Sequence, residues 1–149
     1  MDCTAVIFTP YSTAGKIVDA VLNDIHQLIP SEIVFRRKAE LNEEDVEFMY
    51  PKLVDESFFH NIVQCLTGGS SEVVVLRGEH IHAVMDGVKG KLPQTNYADN
   101  PSGLRSKYRR DDSSFEFVFH TTDSNDETDL ICTRLFGAKY KSLVAEVDD

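Results

Sequence analysis

The chain has 149 residues, of which 42% are hydrophobic and 27% are charged, and it carries a net charge of −10. This composition is typical of a globular protein with one hydrophobic core, and we expect a single domain over residues 1–149. The acidic charge argues against a nucleic-acid partner, because a polyanion attracts basic surfaces. No apolar run approaches the ~18 residues of a membrane span, and the N-terminal stretch lacks the features of a signal peptide, so we expect a cytoplasmic protein without a membrane partner.

The cysteines and acidic residues do not form the spacings of a metal site. Cys3, Cys65 and Cys132 are far apart, and the chain contains no CxxC or CxxH pair, which predicts reduced thiols. The acidic segment 123–129 resembles a calcium loop, but Thr128 stands where such a loop needs glycine. We interpret this segment as the acidic start of a helix and expect no metal bound by the protein itself.

Short apolar runs alternate along the chain with stretches of helical spacing. Apolar or β-branched runs of four to eight residues predict strands, and apolar residues three or four positions apart predict helices. In chain order the predicted elements are a strand at 4–9, a helix at 14–28, a strand at 32–40, helices at 42–50 and 56–66, a strand at 72–77, a helix at 80–90, a strand at 115–120 and a helix at 126–136. Asn42, with Asp45 three positions later, is typical of a helix N-terminus.

The order of these elements predicts an antiparallel sheet with helices packed on it. A long loop, residues 91–103, follows the helix at 80–90. Four short strands separated by helices suit a ferredoxin-like α/β sandwich, in which helices cover one face of a four-stranded antiparallel sheet. Within the second strand, alternation predicts that Ile33 and Phe35 lie on the same face.

Two segments near the C-terminus are candidates for a functional site. The segment 104–110 is basic in an acidic chain, and Arg105 lies within it. It is interpreted either as a salt-bridged turn or as a small anion site. The segment FVFHTTDSNDET, residues 117–128, carries His120 from an apolar strand to a corner rich in hydroxyls and carboxylates. His120 is a candidate nucleophile or an ordinary residue at the end of a strand.

Several motifs, in this order, resemble those of the nucleoside diphosphate kinase family. IFTPYS stands where the family's first strand ends in IKPDG, and Tyr50 lies eight residues before Phe58. LTGGS matches a family turn, ADNPSGLRSKY matches a loop, and FVFHTTDS matches the signature NxxHGSD. The resemblance covers about residues 4 to 136.

The resemblance implies a phosphoryl-transfer chemistry. A phosphoryl group would pass from a nucleoside triphosphate to His120 and then to a diphosphate, with Mg²⁺ and ATP or ADP bound only if the site is functional. It also implies that the nucleotide contacts Arg105, Phe58, Tyr50 and Thr122.

The chain departs from the family at five positions around that site: Thr9, Asp86, Leu92, Phe117 and Ile131. Thr9 and Asp86 stand where the family has a phosphate-binding lysine and arginine, so two cations are lost. Ile131 replaces a glutamate that holds the second ring nitrogen of the histidine, so the resemblance implies that His120 loses this support.

These departures lead us to expect a pseudoenzyme with weak or no nucleotide binding, acting as a binding or assembly module for a protein partner. Such domains resemble those of multidomain proteins in cilia and flagella. A cilium or flagellum is therefore the alternative to the bulk cytoplasm as the location of this protein. An active kinase that forms phospho-His120 is one alternative function, and a nucleotide sensor without turnover is another. A homo-oligomer is compatible with the resemblance, but the altered loop before Arg105 argues against a hexamer.

Overall fold

A four-stranded antiparallel sheet forms the centre of the computed structural model, which describes residues 2–89, 103–108 and 117–148. The strand order is β2-β3-β1-β4, and each neighbouring pair is antiparallel. The strands are β1 (Asp2–Phe8), β2 (Glu32–Ala39), β3 (Ser71–Gly78) and β4 (Phe119–Thr121). The predicted four-stranded antiparallel sheet is confirmed.

Helices connect and cover these strands. In the described part of the chain they are α1 (Pro10–Ala14), α2 (Val18–Leu28), α3 (Glu43–Met49), α4 (Phe59–Thr67), α5 (Ile81–Lys89), α6 (Leu104–Lys107), α7 (Asn125–Phe136) and α8 (Lys139–Asp148). None of them is long and apolar enough to cross a bilayer.

Helices cover both faces of the sheet, whereas the sequence pattern predicted cover on one face. Successive residues of a strand point to opposite faces. Ala5 and Ile7 of β1 accordingly join a core that also contains residues of α3, α4, α7 and α8. Val6 and Phe8 join a second core with residues of α2 and α5. These four side chains of β1 are completely buried, and the strand forms the centre of the fold.

Two local predictions in the first half of the chain are wrong. The helix predicted at 14–28 begins later, at Val18, because Lys16 has a positive φ of 59° that a continuous α-helix does not allow. A separate short helix, α1, precedes it and starts at Pro10, a position where the missing N–H costs nothing. In β2, a bulge between Ile33 and Phe35 breaks the alternation. Ile33 is therefore 48% exposed while Phe35 is buried.

The last strand and the helices after it also differ in length from the prediction. β4 has three residues, whereas the predicted strand covered residues 115–120. The first two positions of that prediction lie outside the described residues. α7 begins after Ser124, whose side chain accepts a hydrogen bond from the Glu127 amide, so the acidic helix start is confirmed. α8 was not predicted. The capping box of Asn42 and Asp45 at the start of α3 is confirmed.

Candidate functional site

His120 lies near the C-terminal end of β4, where it pairs with Ile7 of β1. The preceding residues, Phe117 to Phe119, are almost fully buried in the two cores, and they hold the short strand in place. The His120 residue is 7% exposed. The fold therefore places the imidazole at a fixed position at the end of the sheet.

Tyr50 holds one nitrogen of this imidazole. The phenol oxygen of Tyr50 lies 2.6 Å from His120 Nδ1, and the two rings meet edge to face with centroids 4.6 Å apart. Tyr50 directly follows α3, so the helix start at Asn42 and the packing of α3 position it. Burial raises the pKa of Tyr50, so the phenol keeps its hydrogen and can donate it to Nδ1.

Glu127 faces the other nitrogen. Its Oε1 atom lies 3.7 Å from His120 Nε2, which is an ion-pair distance and longer than a hydrogen bond. Nε2 is buried and has no hydrogen-bond partner among residues 2–89, 103–108 and 117–148. Because an ionised carboxylate can only accept, we assign the ring hydrogen to Nε2, facing Glu127, which leaves Nδ1 to accept from Tyr50.

Burial of the His120 ring keeps it neutral near pH 7. Burial lowers the pKa of His120, and the positive charges of Arg105 and Lys89 lower it further, while Glu127 opposes both. The interaction with His120 lowers the pKa of Glu127, and the Asp123 amide, which donates to Glu127 at 3.2 Å, adds to this effect. The site thus combines a neutral imidazole with an ionised carboxylate.

Glu127 was missed by sequence reasoning. Ile131 is buried in the first core, as expected for an apolar side chain on the inner face of α7. Glu127 lies four positions earlier and therefore on the same side of the helix, one turn closer to His120. That i,i+4 relationship was the available signal. The sequence analysis expected a loss of support for the ring, and the structure gives it one hydrogen-bond partner, Tyr50, and a carboxylate, Glu127, that faces Nε2 at 3.7 Å.

Arg105 lies beside the strand that carries His120. It is 5% exposed, its Nε donates to the Phe119 carbonyl at 3.1 Å, and its guanidinium lies 5.3 Å from the Phe119 ring centroid. Its positive charge adds to the lowering of the His120 pKa that burial causes, and it opposes the larger rise that burial causes in the pKa of Tyr50.

The structure places Phe58 and Thr122 in packing and hydrogen-bond networks. Phe58 precedes α4 and packs, half-buried, against the first core. The Thr122 hydroxyl accepts from the Ala5 amide at 2.8 Å and lies 2.6 Å from the Thr128 hydroxyl. Thr122 is 2% exposed, so in this conformation its hydroxyl joins β4 to β1 and α7.

Thr9 is equally enclosed. It is 1% exposed, and its hydroxyl donates to the Phe117 carbonyl at 2.6 Å. The position that the family fills with a lysine is therefore a buried polar contact between the end of β1 and the segment before β4. Phe117 itself is buried in the first core.

Lys89 supplies a cation near His120, but carboxylates already contact it. Its ammonium lies 2.9 Å from Asp86, 3.5 Å from Asp123 and 3.0 Å from the Thr121 hydroxyl. Asp86 is thus the partner of Lys89 at i,i+3 on α5. Leu92, the remaining departure, lies outside the described residues, as does most of the loop at 91–103.

The described part of the basic segment forms a salt-bridged turn. Lys107 pairs with Asp24 of α2 at 2.6 Å, and the Tyr108 hydroxyl donates to the same carboxylate at 2.6 Å. These two hydrogen bonds hold the pKa of Asp24 below its usual value. Arg109 and Arg110 lie outside the described residues.

A cavity of about 780 Å³ opens beside His120, between residues 48–53 and the first half of α7. Among the described residues, three carboxylates line it, those of Asp123, Asp126 and Glu127, together with one ammonium, that of Lys52. A second cavity, of about 410 Å³, lies between α1 and α4, and its lining within the described part of the chain has no charged side chain. Within the described residues, no group of three or more histidine, cysteine or acidic side chains could hold a metal ion.

Comparison with known proteins gives consistent matches over nearly the whole chain. The family model described as nucleoside diphosphate kinase matches residues 2–139. A nucleoside diphosphate kinase of Methylorubrum extorquens is 29% identical over 133 residues, which are 89% of this chain and 91% of that protein. One from Acetivibrio thermocellus is 25% identical over 137 residues, 91% of this chain and 96% of that protein. The crystal structure of the Encephalitozoon cuniculi enzyme superposes with a TM-score of 0.77 at 15% identity, covering 93% of this chain and 91% of that one.

Proposed function

Since the chain belongs to the nucleoside diphosphate kinase family, we propose that it is a divergent member with weak or no nucleotide binding and little or no turnover. In this proposal it acts as a binding or assembly module for a protein partner. The fold and the position of His120 are retained, and the surroundings of the phosphates have changed.

The charge beside His120 is the observation that carries the proposal. Phosphoryl transfer needs cations around the oxygens of the transferred group, because charge spreads over them in the transition state. The part of the chain that the structure describes contributes three carboxylates and one ammonium to the cavity lined by His120. A polyphosphate entering it would be repelled by more groups than attract it.

Two of the described cations near His120, Lys89 and Arg105, are already engaged. Lys89 contacts two carboxylates, and Arg105 donates to a backbone carbonyl. A phosphate would have to compete with these partners. Thr9 adds no charge and is buried, so the end of β1 offers no replacement.

The loss of phosphate-binding cations should reduce the rate of phosphoryl transfer more than the hydrogen bond that orients the His120 ring does. One transition-state arginine contributes ~10³ to 10⁵ in rate, or about 4 to 7 kcal/mol. Freeing His120 Nδ1 from the Tyr50 hydroxyl costs one neutral hydrogen bond, about 0.5 to 1.5 kcal/mol. The imidazole therefore remains chemically competent, and the missing cations limit the rate.

A second candidate function is transfer of a γ-phosphate through phospho-His120. One observation favours it: the ring is neutral, with its hydrogen directed at Glu127 and a lone pair on Nδ1. Mg²⁺ with ATP or ADP, and nucleotide contacts from Arg105, Phe58, Tyr50 and Thr122, belong to this candidate. We rank it second because of the carboxylates in the cavity.

The proposed location and partners rest on family resemblance alone. The location is the cytoplasm, with a cilium or flagellum as the specific alternative. The partner is another protein, or further copies of this chain in a homo-oligomer other than a hexamer. Nucleic acid and membrane are not proposed as partners, given the net charge of −10.

Calorimetry and phosphate labelling test the proposal. We expect titration with Mg·ADP or Mg·ATP to give a dissociation constant above about 1 mM. Incubation with γ-labelled ATP should leave no acid-labile label beyond that of a His120→Asn control. Low-micromolar binding, or label approaching one phosphate per chain that is absent from the control, would establish the second candidate instead.

A further inference from the structure

We propose that the cavity beside His120 is a docking site for a protein segment that inserts an arginine or lysine side chain between apolar residues. The cavity lies between residues 48–53 and α7, as described above. This inference specifies the partner chemistry of the proposed binding role and rests on that role.

The size of the cavity fits a short stretch of polypeptide. Its volume of about 780 Å³ is within the range of cavities that bind small ligands and inserted side chains. Its two walls are formed by different parts of the chain, residues 48–53 and α7. A ligand in it would therefore contact both.

The charges of the cavity are complementary to a cation. Asp126 has no ion-pair partner among the described residues, and Asp123 shares Lys89 with Asp86. Glu127 faces the His120 ring, which is neutral near pH 7. A carboxylate in a partly enclosed site gains most from a guanidinium or ammonium, and a guanidinium can bind two oxygens at once.

The rim of the cavity is apolar and exposed. Leu130 on α7 is 60% exposed, and Phe48 on α3 is 40% exposed. An apolar side chain on either side of the inserted cation would cover them and remove them from water. The chain itself holds a cation between a carboxylate and an aromatic ring at the edge of the cavity. Arg134 pairs with Asp45 at 2.9 Å, and its guanidinium lies 5.0 Å from the Phe48 ring centroid.

His120 provides a separate indication of a ligand. Its side chain is 8% exposed and lines the cavity, and Nε2 has no hydrogen-bond partner within the described residues. A buried donor without an acceptor is unfavourable. A backbone carbonyl of an inserted segment, or a shift of Glu127 as it pairs with a cation, would satisfy it. Phosphate and nucleic acid do not fit, because the same carboxylates repel them.

Two short peptides serve as probes for a titration of the full chain, labelled with ¹⁵N and followed by NMR. One is acetyl-Ala-Leu-Arg-Leu-Ala-amide, and the other has glutamate in place of arginine. We expect the arginine peptide to shift the amides of residues 123–130 and the His120 ring signals with saturation. The glutamate peptide should leave them unchanged.

Variants with matched controls localise the binding. Asp126→Asn with Glu127→Gln should weaken the arginine peptide at least tenfold. Glu43→Gln with Glu44→Gln is the control, because these exposed carboxylates also lie in the first turn of a helix, α3, and do not line the cavity. It should change affinity by less than twofold. Leu130→Ser, at an exposed position that tolerates polar residues, should weaken binding about fivefold.

The outcomes separate this inference from the proposed function. Absence of saturable shifts, equal binding of the glutamate peptide, or equal loss of affinity in the α3 control would overturn the docking site. Mg·ADP is titrated into the same sample without peptide. Tight ADP binding would overturn the proposed function, whereas a negative result with both ligands would overturn the docking site alone.

Discussion

Tyr50 and His120, 70 residues apart in the chain, meet at 2.6 Å between the phenol oxygen and Nδ1. The contact joins the end of α3 to the end of β4 across the first core. It makes the orientation of the imidazole depend on the packing of a helix that is remote in sequence.

Tyr50→Phe removes this hydrogen bond and retains the ring. We expect the free energy of unfolding to fall by about 1 kcal/mol, the net contribution of a neutral buried hydrogen bond. Urea denaturation followed by circular dichroism measures it. The control is Tyr11→Phe, whose hydroxyl makes a longer bond of 3.3 Å to the Tyr108 carbonyl. A larger effect from Tyr11→Phe than from Tyr50→Phe would contradict the assignment.

Glu127→Gln should lower the pKa of His120 still further. The carboxylate is the group that opposes the effect of burial on this imidazole, so its removal leaves burial and the nearby cations unopposed. An NMR pH titration of the His120 ring measures the shift. Placing a carboxylate one turn later, in the double variant with Ile131→Glu, should move the pKa back upward. An unchanged pKa in the single variant would show that Glu127 does not act on the ring.

Burial of the imidazole makes the free energy of unfolding decrease as the solution becomes more acidic. His120 has a folded-state pKa below its unfolded value of 6.5, so the unfolded chain binds the proton first. The contribution is present above pH 6.5 and is lost as the pH falls through the folded-state pKa. Urea unfolding should therefore give a lower free energy of unfolding at pH 5.5 than at pH 7.5, and His120→Asn should make this difference smaller. His26→Asn, at an exposed position, should retain the full decrease.

Asp86→Asn should strengthen nucleotide binding. It removes one of the two carboxylates that contact Lys89, and with it a negative charge near the incoming phosphates. One charge at about 8 Å in an effective dielectric of about 40 corresponds to ~1 kcal/mol, or roughly fivefold in affinity for Mg·ADP. The gain should shrink as salt rises, since Asp86 is 60% exposed. Calorimetry at two salt concentrations tests this, with Glu79→Gln as the control. An equal gain in the control would assign the effect to net charge.

The sequence was sufficient for features that local patterns encode. Strands and helices were placed in the correct order because apolar periodicity reflects which face of each element is buried. The start of α3 followed from Asn42 and Asp45, since capping is a contact over three residues, and the start of α7 followed from the acidic segment 123–129. The position of His120 at the end of the last strand followed from the apolar run before it.

Only the tertiary structure decided which side chains meet. The bulge that exposes Ile33 follows from how β2 pairs with β3. The pairing of Lys89 with Asp123 joins α5 to the segment after β4. Glu127 faces His120 because α7 packs against the first core, and Tyr50 meets it because α3 packs there too. Periodicity records which face of an element is buried, whereas contacts between elements depend on their packing angles and register, which a local pattern does not contain.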